Sequence, residues 1–166
     1  MKKKDVLDEL DMKLLIELQK DCRNPLQEIA KAVDAPYSTV HYRVSRLEKQ
    51  KIISGYSATV NPNKLGLDYM AVISIWTDFN PEFYHKIGKE LSEIFGVWAV
   101  YNCLGEVDFF VLARASDKNE FLKILDKMMK IKGISRISTH VMTKVVKEDP
   151  RLDFDVDFEY RLRRWI

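Results

Sequence analysis

Residues 24–52 have the pattern of two short helices joined by a tight turn. Apolar side chains recur every three or four residues in both halves, and Pro36 stands between the halves, where the first helix cannot continue. In the second half, Val40, Val44 and Leu47 form one apolar stripe, with polar residues off that stripe. Two helices of this length around such a turn predict a helix-turn-helix, in which one helix braces the other.

The polar side of the second predicted helix carries residue types that bind DNA. Hydroxyl groups can meet base edges or phosphates, and arginine can fork onto guanine or phosphate oxygens. A helix-turn-helix presents such a helix to the major groove. The candidate DNA-binding residues are Ser38, Thr39, Tyr42, Arg43 and Arg46. A solvated face is the plainer alternative, and a surface or packing role suits His41 as well as a DNA contact does.

Charge is distributed unevenly along this nearly neutral chain. The 166 residues carry a formal net charge of +2, which by itself does not indicate nucleic-acid binding. Residues 37–52, however, contain four basic residues against the single acid Glu48. A local basic face of this kind favours contact with DNA phosphates over non-specific adhesion of the whole protein.

Helix-start signals precede and open the same region. Asp8 is predicted to cap a first helix, with Asp11 three residues later in the acid-favouring first turn. Asn24 and Pro25 are predicted to open the second helix as its cap and first helical residue, and Gln27 completes a capping-box pattern. Three helices are therefore expected before residue 52.

Composition and residue spacing exclude several classes of protein. A hydrophobic content of 46% supports real cores, and the sequence shows neither an apolar run as long as a membrane span nor a signal peptide. Cys22 and Cys103 lack a partner pattern, so reduced cysteines in a cytoplasmic protein are expected. The three histidines have no metal-ligand spacing. With no nucleophile–base set and no phosphate loop, the chain is expected to be no enzyme and to need no cofactor.

The second part of the chain alternates strand-like and helix-like segments. A weakly alternating connector, residues 52–60, predicts a short strand that ends at the turn of Asn61 and Pro62. The segments that follow are a strand at 69–77, a helix at 81–95, strands at 97–103 and 108–113, a helix from Asp117 to Gly133, and an extended segment at 134–146. The order βαββαβ predicts a ferredoxin-like α+β domain, with an antiparallel sheet and both helices on one face.

The other face of that sheet needs a cover. Val72, Trp76, Val100 and Phe110 are the apolar candidates for it, and a second copy of the chain is the simplest cover. A homodimer also suits DNA binding, because two linked readers address two half-sites about one helical turn apart.

Four regions are predicted along the chain. They are a DNA-binding domain at 1–52, a hinge at 53–66, a ferredoxin-like domain at 67–147 and a C-terminal extension at 148–166. In the extension, acids alternate with apolar residues from 153 to 160, which suggests an added edge strand. A mobile tail or a clasp between subunits is the rival interpretation.

Several motifs in this order resemble the Lrp/AsnC regulators, also called feast/famine regulatory proteins. The resemblance covers about residues 7–147. It rests on Leu7-Asp8, Leu14-Leu15, Leu26-Gln27-Glu28-Ile29-Ala30, Ser38-Thr39-Val40-His41-Tyr42-Arg43, Arg46-Leu47-Glu48, Ile52-Ile53-Ser54-Gly55-Tyr56, Asn61-Pro62-Asn63-Lys64-Leu65-Gly66, Gly105-Glu106-Val107-Asp108 and Lys132-Gly133-Ile134. The chain departs from the family at Asp34, where glycine is frequent, and at Pro36-Tyr37, where Ser-Pro often opens the recognition helix.

The resemblance implies a sequence-specific DNA-binding transcriptional regulator that assembles from dimers. Its second domain, often called RAM, would sense an amino acid or related metabolite between dimers, near a Gly-x-x-Asp loop and the last strand. That carries over to Gly105, Asp108, Ser138 and Thr139 as effector-binding candidates. A glycine in a hairpin turn and an aspartate at a strand start also occur without any ligand. The alternative function is architectural, the wrapping or bridging of DNA with little sequence preference.

Overall fold

The structure is a computed structural model that describes residues 7–78 and 81–152, without the side chains of residues 81–84. It divides into two compact units. The N-terminal unit consists of the described residues up to Ala58 together with residues 149–152, and the sheet unit is Thr59–Glu148. In the N-terminal unit the side-chain amide of Gln19 donates to the carbonyl of Leu152 at 3.1 Å, and its oxygen accepts from the Leu152 N–H at 2.7 Å.

Three helices form the N-terminal unit: α1 (Glu9–Lys20), α2 (Leu26–Ala32) and α3 (Tyr37–Lys49). The predicted cap of α1 is confirmed. The Asp8 carboxylate accepts from the N–H of Asp11 at 3.0 Å, and the Asp11 carboxylate accepts from the N–H of Asp8 at 3.1 Å. These two bonds form a reciprocal capping box, which satisfies an amide of the first turn and fixes where α1 begins.

The predicted cap of α2 is wrong. Pro25, not Asn24, is the N-cap, with φ −55° and ψ 139°, and no side chain caps the helix. Because the extended residue is Pro25, Asn24 lies one residue too far away to reach the first-turn amides. Between α2 and α3, Asp34 takes a left-handed φ of 51°, a conformation that aspartate tolerates better than most residues. Pro36 then precedes α3, which has no side-chain cap either, as expected.

The core of the N-terminal unit confirms the apolar periodicity of α3. Val40, Val44 and Leu47 are buried, as their spacing predicted. Val40 and Val44 pack against buried residues of the preceding part of the unit. The buried cluster comprises Leu14, Ile29, Ala30, Val33, Val40 and Val44. The opposite side of α3 therefore faces away from this core.

The sheet unit has the predicted βαββαβ order. Its elements are β1 (Tyr69–Thr77), α4 (Pro81–Ser92), β2 (Val97–Asn102), β3 (Phe109–Ala115), α5 (Lys118–Met129) and β4 (Ile134–Val141), after a short 3₁₀ helix at Pro62–Leu65. The strands pair antiparallel in the order β2-β3-β1-β4. This is the ferredoxin-like topology, with β1 and β3 at the centre and β2 and β4 at the edges.

Alternate residues of the strands divide the sheet into two faces. Ile73 and Ile75 of β1 pack with α4 and α5 in one buried cluster, so they define the helix-covered face. Val72, Trp76 and Phe110 alternate with this set and lie on the open face, as predicted. The placement of Val100 on the open face is wrong. A register shift in β2 between Val97 and Ala99 turns Val100 toward the helices, and it packs against their core.

The extended segments at the margins differ from the predictions. Residues 52–60, all described, form no strand in the single chain, because a strand needs a neighbour to complete its backbone hydrogen bonds and this segment pairs with none. The last strand ends at Val141, earlier than the predicted 146. The edge strand predicted over 153–160 lies outside the described residues. The four predicted region boundaries remain predictions.

Candidate nucleic-acid interface and ligand-binding loop

Helix α3 presents a continuous row of side chains opposite its buried side. Residues spaced alternately four and three apart fall on one face of a helix. Half a turn away from the apolar stripe, that face consists of Ser38, Tyr42, Ser45 and Lys49, which we call the outer stripe. Tyr42 is 65% exposed, Ser38 and Lys49 are exposed, and Ser45 is half-buried. Of the sequence-predicted set, Ser38 and Tyr42 belong to this face, and Thr39 lies beside it, half-buried.

Arg43 and Arg46 lie elsewhere, against the start of α1. The Nη1 atom of Arg43 lies 2.5 Å from Asp8 Oδ2 and 3.1 Å from Asp11 Oδ1. The Nη2 atom of Arg46 is ion-paired with Asp11 Oδ2. The two arginine side chains are only 23% and 22% exposed, and Asp11 is completely buried. We call these four residues the Asp–Arg cluster.

The cluster changes the acid–base properties of two of its members. Partial burial of Asp8 opposes ionisation, but hydrogen bonds from the Asp11 backbone and from Arg43 outweigh it and lower the pKa of the Asp8 carboxyl. The hydrogen bond to Asp8 raises the pKa of Arg43, although burial of the guanidinium works against this. Both groups are therefore held in their charged forms.

The sequence pattern predicts Asp8 and Asp11 only as helix-start residues, and this second role was not predicted. A signal for it exists. The two acids are three residues apart, and the two arginines are also three residues apart, so each pair lies on one face of its helix. Matched spacing of opposite charges on two neighbouring helices is what a cluster across their contact requires.

The connector after α3 is fastened to that helix. The Tyr56 hydroxyl donates to Glu48 Oε1 at 2.9 Å. Partial burial and the neighbouring Glu48 carboxylate raise the pKa of Tyr56 to about 12, so the phenol keeps its proton and its hydrogen bond at neutral pH.

The predicted effector residues of the sheet unit do not all come together. Gly105 lies in the exposed β2–β3 loop with φ 146°, and a Cβ added there would meet no atom within 4 Å. Asp108, at the end of that loop, accepts hydrogen bonds from the backbone N–H and the hydroxyl of Thr77 through its Oδ2 atom. Its carboxylate thus already has a structural partner.

Ser138 and Thr139 point to opposite faces of the sheet. Ser138 lies across from Ser74 of β1 on the open face, whereas Thr139 lies across from Ile73 on the helix-covered face. Since β4 is an edge strand, a ligand can reach both side chains only from that edge.

A groove of about 720 Å³ lies between α4 and the β2–β3 hairpin. Polar and apolar side chains share its lining: His85, Gly88, Ser92, Val100, Asn102, Cys103, Leu104 and Phe109. It adjoins the Gly105 loop and contains none of the four predicted effector residues. Sequence reasoning missed it because Val100 was placed on the other face.

Other features of the described residues bear on metals, disulfides and membranes. In residues 7–78 and 81–152, no group of three or more His, Cys, Asp or Glu side chains is placed to hold a metal ion. Cys22 and Cys103 are both free thiols. Within the same residues, no helix is both long enough and apolar enough to cross a bilayer.

Comparison with known proteins identifies the family. Residues 7–54 match the family model described as winged helix-turn-helix DNA-binding, and residues 70–152 match the one described as Lrp/AsnC ligand binding domain. An HTH-type transcriptional regulator of Pyrococcus abyssi is 32% identical over 148 residues, which covers 89% of this chain and 99% of the relative. The chain belongs to the Lrp/AsnC family of transcriptional regulators. FL11, an HTH-type transcriptional regulator of Pyrococcus furiosus, is 33% identical to this Lrp/AsnC chain, over 89% of it and 96% of FL11.

Solved structures share the fold of this Lrp/AsnC regulator. The feast or famine regulatory protein of M. tuberculosis, complexed with L-methionine, has a TM-score of 0.79 at 27% identity and covers 88% of this chain and 98% of its own. A regulator from Neisseria meningitidis, also in complex with L-Met, has a TM-score of 0.82 at 24% identity, with coverage of 89% and 96%. At that identity the second likeness shows the fold alone. Both Pyrococcus relatives are HTH-type transcriptional regulators, not enzymes.

Proposed function

We propose that this Lrp/AsnC regulator binds specific DNA sequences through α3 and that an amino acid or related metabolite, bound between dimers, tunes this binding. The observation that carries the proposal is the exposed polar side of α3, which lies opposite residues buried at 0–6% exposure. A helix braced on one side and polar on the other has the geometry that the major groove accepts. A regulator of this kind acts where the chromosome is, so we expect it in the cytoplasm.

Of the five DNA-binding residues predicted from the sequence, Ser38, Thr39 and Tyr42 are the proposed DNA contacts. Arg43 and Arg46 belong to the same proposed DNA-binding helix, but their guanidinium groups pair with Asp8 and Asp11. Ser38 and Thr39 are in the first turn of α3, where no side chain caps the backbone. The free N–H groups of a helix start favour phosphate oxygens, so this end of α3 suits the sugar–phosphate backbone. Tyr42 lies one turn further along, at a depth that suits a base edge.

The proposed assembly is a homodimer that forms higher oligomers. Support comes from the open face of the sheet, where Phe110 remains 38% exposed on a central strand. On the same face, the Arg136 guanidinium lies 4.4 Å from the centre of the Trp76 ring, so this ring is partly shielded by a charged neighbour. A second copy of the sheet is the cover that would remove this apolar surface from water.

The proposed effector-binding residues are Gly105, Asp108, Ser138 and Thr139. The M. tuberculosis protein complexed with L-methionine supports an amino acid as the ligand class. Gly105 leaves the loop backbone open to a ligand, and Asp108 places a carboxylate at the end of the same loop. A carboxylate is the group that suits the α-ammonium of an amino acid.

Effector and DNA would be linked through the assembly. An effector that binds one arrangement of dimers more tightly favours that arrangement, and the arrangement sets the spacing of the α3 helices. DNA affinity then changes by the same free energy by which the effector distinguishes the two arrangements.

A binding titration tests the proposal. The DNA upstream of the protein's own gene is compared with scrambled DNA at one salt concentration, with and without a pool of amino acids. A specific regulator should prefer the upstream DNA by roughly 10³-fold or more, with an affinity that the pool alters. Equal affinity for both DNAs would favour the architectural function. An absence of binding to either would contradict the assignment of α3 as a DNA reader.

A further inference from the structure

The guanidinium groups of Arg43 and Arg46 both pair with the buried carboxylate of Asp11. Arg43 Nη1 lies within hydrogen-bond distance of one oxygen of Asp8 and both oxygens of Asp11, at 2.5, 3.1 and 3.2 Å. Asp11 has no solvent exposure, and its carboxylate also pairs with Arg46. If the arginines turned out toward a phosphate, the buried carboxylate would lose its counter-charges, which is strongly unfavourable.

The cluster joins the two helices that set the orientation of α3. Asp8 and Asp11 are at the start of α1, where the reciprocal capping box holds both carboxylates in place. The arginines are one turn apart in the middle of α3. The cluster therefore fixes the rotation of α3 about its own axis, because both guanidiniums must face α1 at once.

That rotation directs a different set of side chains away from the protein. The outer stripe of Ser38, Tyr42, Ser45 and Lys49 lies opposite the apolar side of α3. It offers hydroxyl and phenol groups over about two turns, then a lysine one turn further on, at the C-terminal end. Hydroxyls and phenols suit base edges and nearby phosphates, and the lysine suits a phosphate.

We infer that the polar residues of α3 divide into two groups with different tasks. Arg43 and Arg46 are positioning residues that hold α3 in register, and the outer stripe, including Ser45 and Lys49, contacts the DNA. This inference rests on the proposed DNA binding. It assigns to Ser45 and Lys49 a contact that the sequence-predicted set gave to the arginines.

Salt dependence separates the two roles of Arg43. The full-length protein is titrated against fluorescent upstream DNA and scrambled DNA over a series of KCl concentrations. The slope of log K against log salt is negative, and loss of one phosphate contact makes it shallower by about 0.9. We expect Arg43→Gln to weaken binding to the upstream DNA and to keep the wild-type slope, whereas Lys49→Gln should make the slope shallower by about 0.9.

The Asp8→Asn variant tests the same point from the other side of the pair. Asparagine caps a helix as well as aspartate does, so α1 keeps its start while Arg43 loses one ionic partner. If Arg43 is a positioning residue, Asp8→Asn weakens binding to the upstream DNA. Adding Arg43→Gln to Asp8→Asn then lowers the DNA affinity by less than Arg43→Gln does in the wild-type protein. If Arg43 contacts a phosphate, releasing it leaves binding unchanged or tighter. Thermal melts confirm that each variant is folded.

The outer stripe has its own variants and control. Tyr42→Ala and Ser45→Ala should each lower the ratio of upstream to scrambled affinity by roughly tenfold, the size of a lost base contact. Lys13→Gln, at an exposed residue of α1 that pairs with Glu9, should change neither the ratio nor the salt slope.

Two kinds of failure are distinguishable. A wild-type protein that binds neither DNA at low salt would overturn the proposed function and this inference together. The inference alone would be overturned if the wild-type protein binds the upstream DNA but the variants behave differently from our expectation. That outcome is a shallower salt slope in Arg43→Gln together with unaltered selectivity in Ser45→Ala and Tyr42→Ala.

Discussion

The Oδ2 atom of Asp108 accepts two hydrogen bonds from Thr77, one from its backbone N–H at 2.7 Å and one from its hydroxyl at 3.0 Å. These bonds join the residue before β3 to the last residue of β1. The loop that contains Gly105 ends at this junction, so the residue proposed to receive an effector also holds two central strands together. Structural and sensing roles of Asp108 must be measured separately.

Replacing Asp108 by alanine should destabilise the sheet unit. The change leaves the half-buried N–H of Thr77 without its acceptor, and an unsatisfied buried donor costs about 1–3 kcal/mol. Thr77→Val is the matched control, because it removes only the hydroxyl bond and should cost about 1 kcal/mol. Urea unfolding gives both values. An Asp108→Ala protein with the wild-type midpoint would contradict the structural role.

Gly96 should not tolerate a side chain. Its φ is +92°, and an added Cβ would lie 2.5 Å from Ile124 Cδ1 and 2.8 Å from the backbone oxygen of Arg114. The Gly96→Ala variant therefore combines backbone strain with a clash against a backbone atom, and we expect a loss of about 2–4 kcal/mol. Gly55→Ala is the control, since its added Cβ meets nothing within 4 Å. The Tm measured by thermal unfolding should fall clearly in Gly96→Ala and little in Gly55→Ala.

Acid should weaken the N-terminal unit through Asp8. Its carboxyl has a pKa below the ordinary value of 3.8 in the folded state, so its ionisation stabilises the fold at neutral pH. This contribution is complete above pH 3.8 and disappears as the pH falls through the lowered pKa. In Asp8→Asn, this part of the pH dependence should be missing. Chemical unfolding at pH 6 and below pH 4 measures it, and identical acid sensitivity in both proteins would refute this role of Asp8.

A charge on the open face of the sheet should disrupt the proposed dimer. Phe110→Lys places an ammonium group where we expect a second copy of the sheet, so it should give monomers in analytical ultracentrifugation. Leu122→Lys on α5 is the matched control, because Leu122 is also exposed, at 49%, but belongs to a helix outside that face. Dimers that persist in Phe110→Lys would place the interface elsewhere.

Local patterns predicted the elements whose causes are local. The buried side of α3 followed from the spacing of Val40, Val44 and Leu47, and the Asp8 cap followed from residue type and position. The prediction for Asn24 was wrong because either of two adjacent residues can occupy the N-cap position of α2. The backbone dihedral angles, which residue type does not specify, place Pro25 there. No local pattern in the sequence marks the register shift in β2 that turns Val100 toward the helices.

The candidate site was harder to predict because its decisive contacts join distant residues. Arg43 and Arg46 have the residue type and spacing of DNA contacts, but their partners lie 32 to 35 residues earlier in the chain. Ser138 and Thr139 are adjacent in sequence, yet strand alternation places them on opposite faces. A single sequence gives residue types and local periods, and neither of these specifies which long-range charges meet.

The capping box of α1 also has an evolutionary consequence. Since Asp8 and Asp11 hold the arginines from within the protein, the fold of the N-terminal unit does not depend on which side chains occupy the outer stripe. If the outer stripe contacts DNA as inferred, substitutions at Ser38, Tyr42 or Ser45 would change the preferred operator without unfolding the helices. Duplicated copies of such a regulator would then acquire separate sets of target genes by a few changes on one helix face.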